Sequence, residues 1–342
     1  MATAEQYRQA GVDLDAAAEA QRRIRVAVAC AQSELSVGKL GAFGGMVRVP
    51  GNVPDPVLVM STDGVGTKVL VSIRAGKHDT VGEDLVNHCV NDILVHGARP
   101  LAFLDYLAGS QMPVEAIASL VEGVARGCRA HDMPLVGGET AQMPGLYQPG
   151  EFDLAGTIVG VVPEHQALHG EAIRAGDVLL GYASSGLHTN GYTLARRIVF
   201  EDLKLDPASP LGQTGQSVAE ALLAVHVSYT RAVMPVIAQV HGIAHITGGG
   251  IVGNLERVIP PACEAVVDPD SWDLPPLFQV LQEAGRVSTD EMRRVFNLGV
   301  GLIVVLPRDQ VTAVQAAATQ TGIATWIIGE VCRGQQAVRF AD

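Results

Sequence analysis

The sequence lacks the features that mark membrane-spanning, secreted and nucleic-acid-binding proteins. No apolar run approaches the ~18 residues that a membrane-spanning helix needs. The five cysteines form no CxxC pair, and Met1–Arg25 is polar and carries several acids, unlike a signal or transit peptide. We therefore expect free thiols and a cytoplasmic location. The net charge of −12 argues against a nucleic-acid partner. It leaves small anions open as ligands, because backbone dipoles and metal ions can bind them.

The composition is that of a folded protein with room for two domains. The 342 residues are 48% hydrophobic and 18% charged, which supplies enough apolar material for two cores. Strand-like and helix-like segments alternate, and this predicts an α/β (α+β) fold in which helices cover mixed sheets. The mixture of Pro, His, Gly and charges over Pro163–Gly176 indicates a boundary between an N-terminal domain (1–165) and a C-terminal domain (172–342). The predicted strands are 57–62, 101–107, 155–162, 177–183, 265–267, 300–306 and 325–328, and the predicted helices are 80–96, 113–131, 190–200, 218–225, 229–241 and 310–320.

The most informative stretch follows the first predicted strand. A carboxylate, two glycines, a hydroxyl and a lysine fall close together there: Asp63, Gly64, Gly66, Thr67 and Lys68. Carboxylate oxygens suit Mg²⁺, and glycines let backbone N–H groups approach an anion closely. The stretch suits a metal-bound nucleoside triphosphate without being a Walker P-loop. A polar turn after a strand explains the same residues equally well.

A second polar group lies on the predicted helix 80–96. Asp92 borders the apolar face of this helix, where an ionised carboxylate loses solvation and needs a partner. A metal ion or a lysine would provide one, whereas capping of a loop or pairing with Arg99 is the structural alternative. Asn91 and His88 lie near it and could support a metal ligand from behind, although we favour His88 as a packing or surface residue.

Two more stretches are rich in glycine. Gly137, Gly138, Glu139 and Thr140 follow a short apolar strand and repeat the chemistry of the first stretch. Their backbone amides could cradle phosphate, and Glu139 could assist a metal ion or orient a ribose, although this signal is weak by itself. Ser36–Gly45 is either a lid over a nucleotide or a flexible loop.

Ser184–Tyr192 follows the first strand of the C-terminal half and ends where a helix is predicted. Free amides at the start of that helix could bind an anion, and Asn190 is a candidate for the same ligand. His188 is the group in this stretch that could shuttle a proton near neutral pH. The alternative is an N-cap at Thr189 or Asn190 with His188 merely exposed.

His245–Asn254 contains a formal G-x-G-x-x-G, and Asp268 stands where a dinucleotide-binding fingerprint would place an acid. Pro260 and Pro261 nevertheless limit the following helix to about two turns, which is short for a Rossmann crossover. We prefer a glycine-rich helix N-terminus that binds a substrate phosphate. It would comprise Thr247, Gly248, Gly249 and Gly250.

Nine stretches from about Tyr7 to Glu330 occur in an order that is specific to one family. They are Ala10–Asp13, Thr62–Lys68, Val90–Asp92, Phe103–Tyr106, Val136–Thr140, Ser184–Tyr192, His245–Gly250, Ser271–Trp272 and Phe296–Gly301. Together they resemble phosphoribosylformylglycinamidine cyclo-ligase, also called aminoimidazole ribonucleotide synthetase, of purine biosynthesis. The chain departs from this family at Gln142, where Glu is common, at Thr189, where Ser is usual, and at Arg25, where some members have Lys. None of these departures removes a proposed metal ligand.

The resemblance implies an N-terminal domain whose strands form a barrel with those of a second subunit, and hence a homodimer. It also implies an ATP site in the cleft between the domains. ATP would phosphorylate the formyl oxygen of formylglycinamidine ribonucleotide, and a nitrogen of the substrate would then close the imidazole ring and expel phosphate. The implied Mg²⁺ ligands are Asp63, Asp92 and Glu139. The implied ATP-binding residues are Gly64, Gly66, Thr67, Lys68, Gly137, Gly138 and Thr140, with Asn190 and Thr247–Gly250 toward the substrate. The catalytic candidates are His188, His245 and Asp92.

Three other interpretations stay open at this point. A superfamily relative would phosphorylate a different acceptor, although Gly38–Gly45 lacks the cysteine usual in selenophosphate synthetase. A dinucleotide-dependent oxidoreductase would use Gly248–Gly253. A non-catalytic module would bind ATP without substrate-dependent release of phosphate.

Overall fold

The structure is a computed structural model that describes residues 14–37 and 44–341. The stretch Ala10–Asp13 and most of Ser36–Gly45 lie outside the described residues, so their predicted roles stay predictions. In the described part of the chain, no helix is both long and apolar enough to cross a membrane.

The chain divides into two compact units. The first comprises Met1–Cys89 and Arg99–Val161, and the second comprises Val90–Ala98 and Val162–Asp342. Each unit has its own sheet with parallel and antiparallel pairs, and helices accompany both sheets. The predicted α/β class with mixed sheets is therefore confirmed.

The first unit is built on a four-stranded sheet in the order β3 (Pro56–Gly64), β6 (Phe152–Pro163), β4 (Arg99–Gly109) and β5 (Leu135–Gln142). Strand β4 pairs with β5 in parallel and with β6 in antiparallel orientation. The last turn of helix α3 (Asp79–Leu94) belongs to the second unit. The elements are α1 (Leu14–Ala29), β1 (Ser36–Val37), β2 (Met46–Val47), β3 (Pro56–Gly64), α2 (Lys68–Ala75), α3 (Asp79–Leu94), β4 (Arg99–Gly109), α4 (Val114–Ala130), β5 (Leu135–Gln142) and β6 (Phe152–Pro163).

Helix α4 shows how local sequence sets this packing. It follows Pro113, has Glu115 in its first turn and Arg129 in its last, and so complements the helix dipole at both ends. Its apolar residues recur at helical spacing and are buried. The small residues Gly82 on α3 and Gly123 on α4 let the two helices touch, because a Cβ at either position would overlap the backbone of the other helix.

The second unit contains a six-stranded sheet in the order β12 (Ala337–Phe340), β9 (Cys263–Val267), β11 (Thr325–Arg333), β7 (Val178–Ala183), β10 (Val300–Leu306) and β8 (Gly242–His245). Its pairs are antiparallel except for β9 and β12. Strand β10 is buried along its whole length and pairs with β7 and β8. The elements are β7 (Val178–Ala183), α5 (Tyr192–Arg196), α6 (Val218–Leu222), α7 (Thr230–Val233), β8 (Gly242–His245), α8 (Gly250–Leu255), β9 (Cys263–Val267), α9 (Pro276–Gly285), α10 (Thr289–Val295), β10 (Val300–Leu306), α11 (Val311–Gln320), β11 (Thr325–Arg333) and β12 (Ala337–Phe340).

Several predicted elements differ from those observed. The predicted helix 229–241 is α7 followed by a 3₁₀ helix, Met234–Gln239, whose second residue is Pro235. Proline lacks the N–H that an α-helix interior requires, so the α-helix ends before it. The predicted helix 190–200 begins later, at Tyr192, and continues from Arg197 as a π-helix.

Candidate functional site

Asp63 is held in place by a buried histidine of the first unit. The predicted turn is still part of β3 here, because the strand runs to Gly64. His88 Nε2 lies 2.7 Å from Asp63 Oδ2, and the Gly64 N–H donates to Asp63 Oδ1 over 2.6 Å. The side chain of His88 is 3% exposed and that of Asp63 is 44% exposed. The buried ring thus orients a carboxylate that solvent can still reach, as a cation ligand requires. The interpretation of His88 as a packing residue misses this contact.

The turn after β3 leads into α2. Gly66 adopts a φ of 61°, which favours glycine, and Thr67 precedes the helix without capping it through its side chain. Lys68, the first residue of α2, points inward, and its Nζ lies 2.7 Å from Asp84 Oδ2. Both side chains are fully buried. Burial lowers the pKa of Lys68, and the Asp84 carboxylate opposes this shift. The ammonium that we expected to face a ligand is engaged with Asp84 in this structure, and its role toward ATP stays a prediction.

A cleft of about 560 Å³ in the first unit is lined in part by the glycine-rich stretch Gly137 to Thr140. Gly137 to Thr140 lie within β5 and not in a loop after it, since the parallel pairing with β4 continues through them. The cleft is lined by Gln21 and Arg25 of α1, by Gly44 and Gly45, by Asp105 of β4 and by residues 136–140 of β5. Asp105 packs against Gly138, where any Cβ would overlap its carboxylate. Burial raises the pKa of Asp105 to about 7.

A row of imidazole rings occupies the second unit. His245, at the end of β8, places Nδ1 2.9 Å from Asp92 Oδ1 and Nε2 3.1 Å from His226 Nε2. The ring of His226 stacks on that of His188, with centroids 3.9 Å apart. All three histidines are buried. In the structure, His245 contacts Asp92 directly, and His226 links His245 to His188. The three catalytic candidates therefore belong to one connected group of side chains.

The structural alternative for His188 is wrong, and Asp92 has a partner on β8. His188 is 1% exposed and accepts the Ser185 N–H at Nε2 over 3.3 Å. Neither Thr189 nor Asn190 caps the next helix, since Gly191 occupies the N-cap position of α5. Asp92 pairs with His245.

The glycine-rich stretch after β8 is held together by one amide. Asn254 Nδ2 lies 3.2 Å from the Thr247 carbonyl, 3.3 Å from that of Gly248 and 2.8 Å from that of Gly250, and it stabilises the loop before α8. Asn190 Oδ1 faces Gly248, so these two predicted site residues are neighbours.

This stretch is not a Rossmann motif. Helix α8 has six residues, and β8 pairs in antiparallel orientation with β10. A Rossmann unit would pair β8 in parallel across a full crossover helix. The dinucleotide-dependent oxidoreductase interpretation depended on a Rossmann motif at Gly248–Gly253, and the antiparallel strand and short helix show that this motif is not formed.

Sequence reasoning missed three residues that the structure places at these sites: His226, Arg25 and Asp105. His226 lies in a loop without glycine, and no periodicity singles it out. In the sequence, Arg25 stands out only as a departure from the family pattern, and Asp105 only as part of a stretch that matches the family. Only the folded sheet brings Asp105 to the cleft, through its pairing opposite Gly138.

Family models match both units. Residues 45–162 match the AIR synthase related protein, N-terminal domain, and residues 174–341 match the AIR synthase related protein, C-terminal domain. A phosphoribosylformylglycinamidine cyclo-ligase from Sorangium cellulosum is 45% identical over 329 residues, which cover 95% of this chain and 94% of that protein. The chain belongs to the phosphoribosylformylglycinamidine cyclo-ligase family.

Solved structures agree with the fold of this family. Thiamine-monophosphate kinase from Stenotrophomonas maltophilia superposes with a TM-score of 0.69 at 22% identity, covering 93% of this chain and 94% of that one. The hydrogenase maturation protein HypE in complex with ATP gives a TM-score of 0.62 at 17% identity, covering 92% and 88%. At such identities the likeness establishes the shared fold.

Proposed function

We propose that this chain catalyses the reaction for which its curated relatives are named, the ATP-dependent cyclisation of formylglycinamidine ribonucleotide to aminoimidazole ribonucleotide in purine biosynthesis. The observation that carries the proposal is the 45% identity to a named relative over 95% of the chain. ADP and phosphate are the other products. Five free cysteines are compatible with a reducing cytoplasm as the location.

The formyl oxygen of the substrate is a poor leaving group, and phosphorylation by ATP makes it a good one. The enzyme's contribution is then to position the reactants and to stabilise charge. In the first unit, Gly64, Gly66 and Thr67 offer backbone and hydroxyl donors to phosphate oxygens, and Gly137 to Thr140 line the cleft. In the second unit, residues 247–250 and Asn190 bind the substrate phosphate.

Carboxylates are the proposed ligands of a magnesium ion. Asp63, Asp92 and Glu139 carry the oxygen atoms that Mg²⁺ prefers, and each of these side chains is at least partly exposed. A bound Mg²⁺ neutralises charge on the phosphates. The orientation of Asp63 by His88 supports its assignment as a ligand.

We assign proton transfer to imidazole side chains of the second unit. Ring closure releases a proton from the attacking nitrogen, and a neutral imidazole is the side chain suited to accept it near pH 7. His245, oriented by Asp92, and His188 are the groups proposed for this step.

A homodimer completes the proposal. The edge strand β3 of the first unit exposes Val57, Leu58 and Met60, and Tyr106 on β4 is 40% exposed. An exposed apolar edge strand is normally covered in native proteins. A second copy of the chain would cover it, as the family resemblance implies.

The test uses purified protein with Mg-ATP and formylglycinamidine ribonucleotide. We expect ADP, phosphate and aminoimidazole ribonucleotide in equal amounts. Asp63→Asn keeps the shape of the side chain but removes its charge, and we expect a loss of kcat of about 10²-fold or more. ATP binding without either product would contradict the cyclo-ligase assignment, and a fully active variant would contradict the role of Asp63.

A further inference from the structure

The stretch Phe296–Gly301 resembles the family, yet the proposed chemistry gives it no role. In the second unit it connects α10 with β10, and all six of its residues are buried. It lies beside the turn that follows β7, because the Ser184 backbone N–H donates to the Gly299 carbonyl over 2.8 Å. That turn leads to His188, one of the catalytic candidates. A buried stretch in this position can act on His188 through direct contact.

The side chain of Asn297 fixes the turn before His188. Asn297 is 4% exposed, and its Nδ2 donates to the Gly186 carbonyl over 2.9 Å. Its Oδ1 accepts the Gly299 N–H over 2.9 Å and lies 3.1 Å from Ser184 Oγ. A flipped amide would set an oxygen against the Gly186 carbonyl, so this amide has one orientation. Asn297 therefore holds both ends of the turn from Ser184 to Gly186.

Gly301 leaves the space into which the ring of His188 fits. It lies at an irregularity of β10, where the pairing with β7 shifts register between Val300 and Leu302. A glycine inside a strand marks such a bulge or the close approach of another group. A Cβ at this position would lie 2.5 Å from His188 Cε1 and would also overlap the hydroxyl of Tyr229. Any larger residue here would therefore displace the imidazole.

His188 has a backbone conformation that its surroundings must hold. Its φ is 60°, in the left-handed region that residues with a Cβ rarely adopt. The Ser185 backbone N–H donates to its Nε2 over 3.3 Å, and the ring of His226 stacks on its ring with centroids 3.9 Å apart. Ser185 lies within the turn that Asn297 fixes. The position of the His188 ring thus depends on Asn297 through the turn and on Gly301 through the space.

We propose that Asn297 and Gly301 are positioning residues for the cyclisation: Asn297 fixes the turn that carries His188, and Gly301 leaves the space for its ring. The kinetic consequence rests on the proposed function, in which His188 is a proton-transfer group. The position of the ring, however, is a property of the protein alone. A spectroscopic and a kinetic measurement therefore test the two parts separately.

The ring position is measured by two-dimensional ¹H–¹³C NMR on the full chain with histidine labelled at Cε1. The chain has ten histidines, and the His188 signal is the one lost in His188→Gln. We expect Gly301→Ala to shift this signal, because the added methyl group meets Cε1 and the shift depends on the stacking with His226. An unchanged His188 signal in Gly301→Ala would overturn the proposal, whether or not the protein is active.

Gly51→Ala is the matched control for this substitution. Gly51 lies in the first unit, its φ is not in the left-handed region, and a Cβ there would meet open space. We expect the His188 signal and kcat to stay as in the wild type. A His188 shift as large as that in Gly301→Ala would show that the signal does not report a local contact, and it would overturn the role of Gly301.

The kinetic test is a double-mutant cycle with His188. We expect Gly301→Ala to lower kcat about tenfold or more, with KM for formylglycinamidine ribonucleotide within about twofold, because a small misplacement of a reacting group is costly. In a His188→Gln background the same change should lower kcat by less than about twofold, since the group that it displaces is already absent. An equal loss in both backgrounds would reveal a general structural effect and overturn the positioning role.

Asn297→Asp tests the turn in the same cycle and replaces Gly301→Ala if that variant does not fold. It keeps the acceptor Oδ1 but loses the donor to the Gly186 carbonyl. We expect a loss of kcat that again disappears in the His188→Gln background, and a fully active Asn297→Asp would overturn the role of Asn297. Absence of ring closure in the wild-type protein would refute the proposed function, and the NMR result would still decide whether Gly301 positions the ring.

Discussion

Lys68 and Asp84 form an ion pair from which water is excluded. Both side chains are fully buried, with 2.7 Å between Nζ and Oδ2. Removing one partner of a buried pair leaves an uncompensated charge, which costs about 3–5 kcal/mol. We therefore expect Asp84→Asn to lower the free energy of unfolding by about that amount, measured by chemical denaturation. The exposed pair between Arg308 and Glu330 supplies the control, since Glu330→Gln should change stability by less than about 1 kcal/mol. Equal effects of the two variants would contradict this account of Lys68.

Asp105 makes the stability depend on pH. Burial raises its pKa to about 7 from an ordinary value of 3.8. Between these two values the folded protein holds a proton on this group that the unfolded chain releases. Its contribution is fully present below the unfolded pKa of 3.8, falls progressively as the pH rises, and is lost once the pH passes about 7. In Asp105→Asn we expect this loss to disappear, so that the variant gains on the order of 3–4 kcal/mol relative to wild type between pH 4 and pH 8.

Thermal denaturation of both proteins across that pH range measures the difference. Asp153→Asn is the control, since its side chain accepts a local hydrogen bond from the backbone N–H of Leu154, over 2.9 Å. A constant gap between wild type and Asp105→Asn at every pH would contradict the raised pKa.

Among helices, the close contact between α3 and α4 is the most sensitive to side-chain size. A Cβ on Gly82 would overlap the backbone of α4 at Leu120. Because backbone atoms cannot rotate away, we expect Gly82→Ala to cost about 1–3 kcal/mol or more. In α8, Gly253 has open space around its Cβ position, so Gly253→Ala should be neutral or stabilise by up to about 1 kcal/mol. Thermal denaturation of the two variants compares them directly, and a stable Gly82→Ala would argue against the close helix contact.

The sequence was sufficient to predict elements with a repeated apolar pattern. Helix α4 and strand β10 lie close to their predicted bounds, because burial of one helix face or of a whole strand leaves a clear signature. Strand β8 was missed since it has only four residues, Gly242–His245. The extension of β5 through Gly137 and Gly138 was also missed. Local sequence statistics favour a turn at glycine. Here, however, Gly137 and Gly138 pair in parallel with β4, and Gly138 leaves the space that the Asp105 side chain occupies.

For the candidate site, the sequence singles out groups that stand within a motif of their own. Asp63, His188 and His245 are candidates of this kind, because each lies in a stretch with glycines that marks a loop or a strand end, and their functional roles stay predictions. His226 is different, since its meaning depends on Asn91 and His245, which are distant in sequence. Such contacts form only when the second unit folds. A local sequence pattern therefore cannot predict them.

At the scale of the whole molecule, the remaining question is what covers β3. Met60 is 63% exposed on this edge strand. A glutamate there would cost a monomer little, because the side chain already faces water, but it would place a charge inside a subunit interface. We expect the wild-type protein to elute at about twice 35.8 kDa in size-exclusion chromatography with light scattering, and Met60→Glu to elute near the monomer mass. Leu203→Glu, at an exposed leucine of the second unit, should stay dimeric. A monomeric wild type, or a dimer that survives Met60→Glu, would show that β3 is not the surface on which two chains assemble.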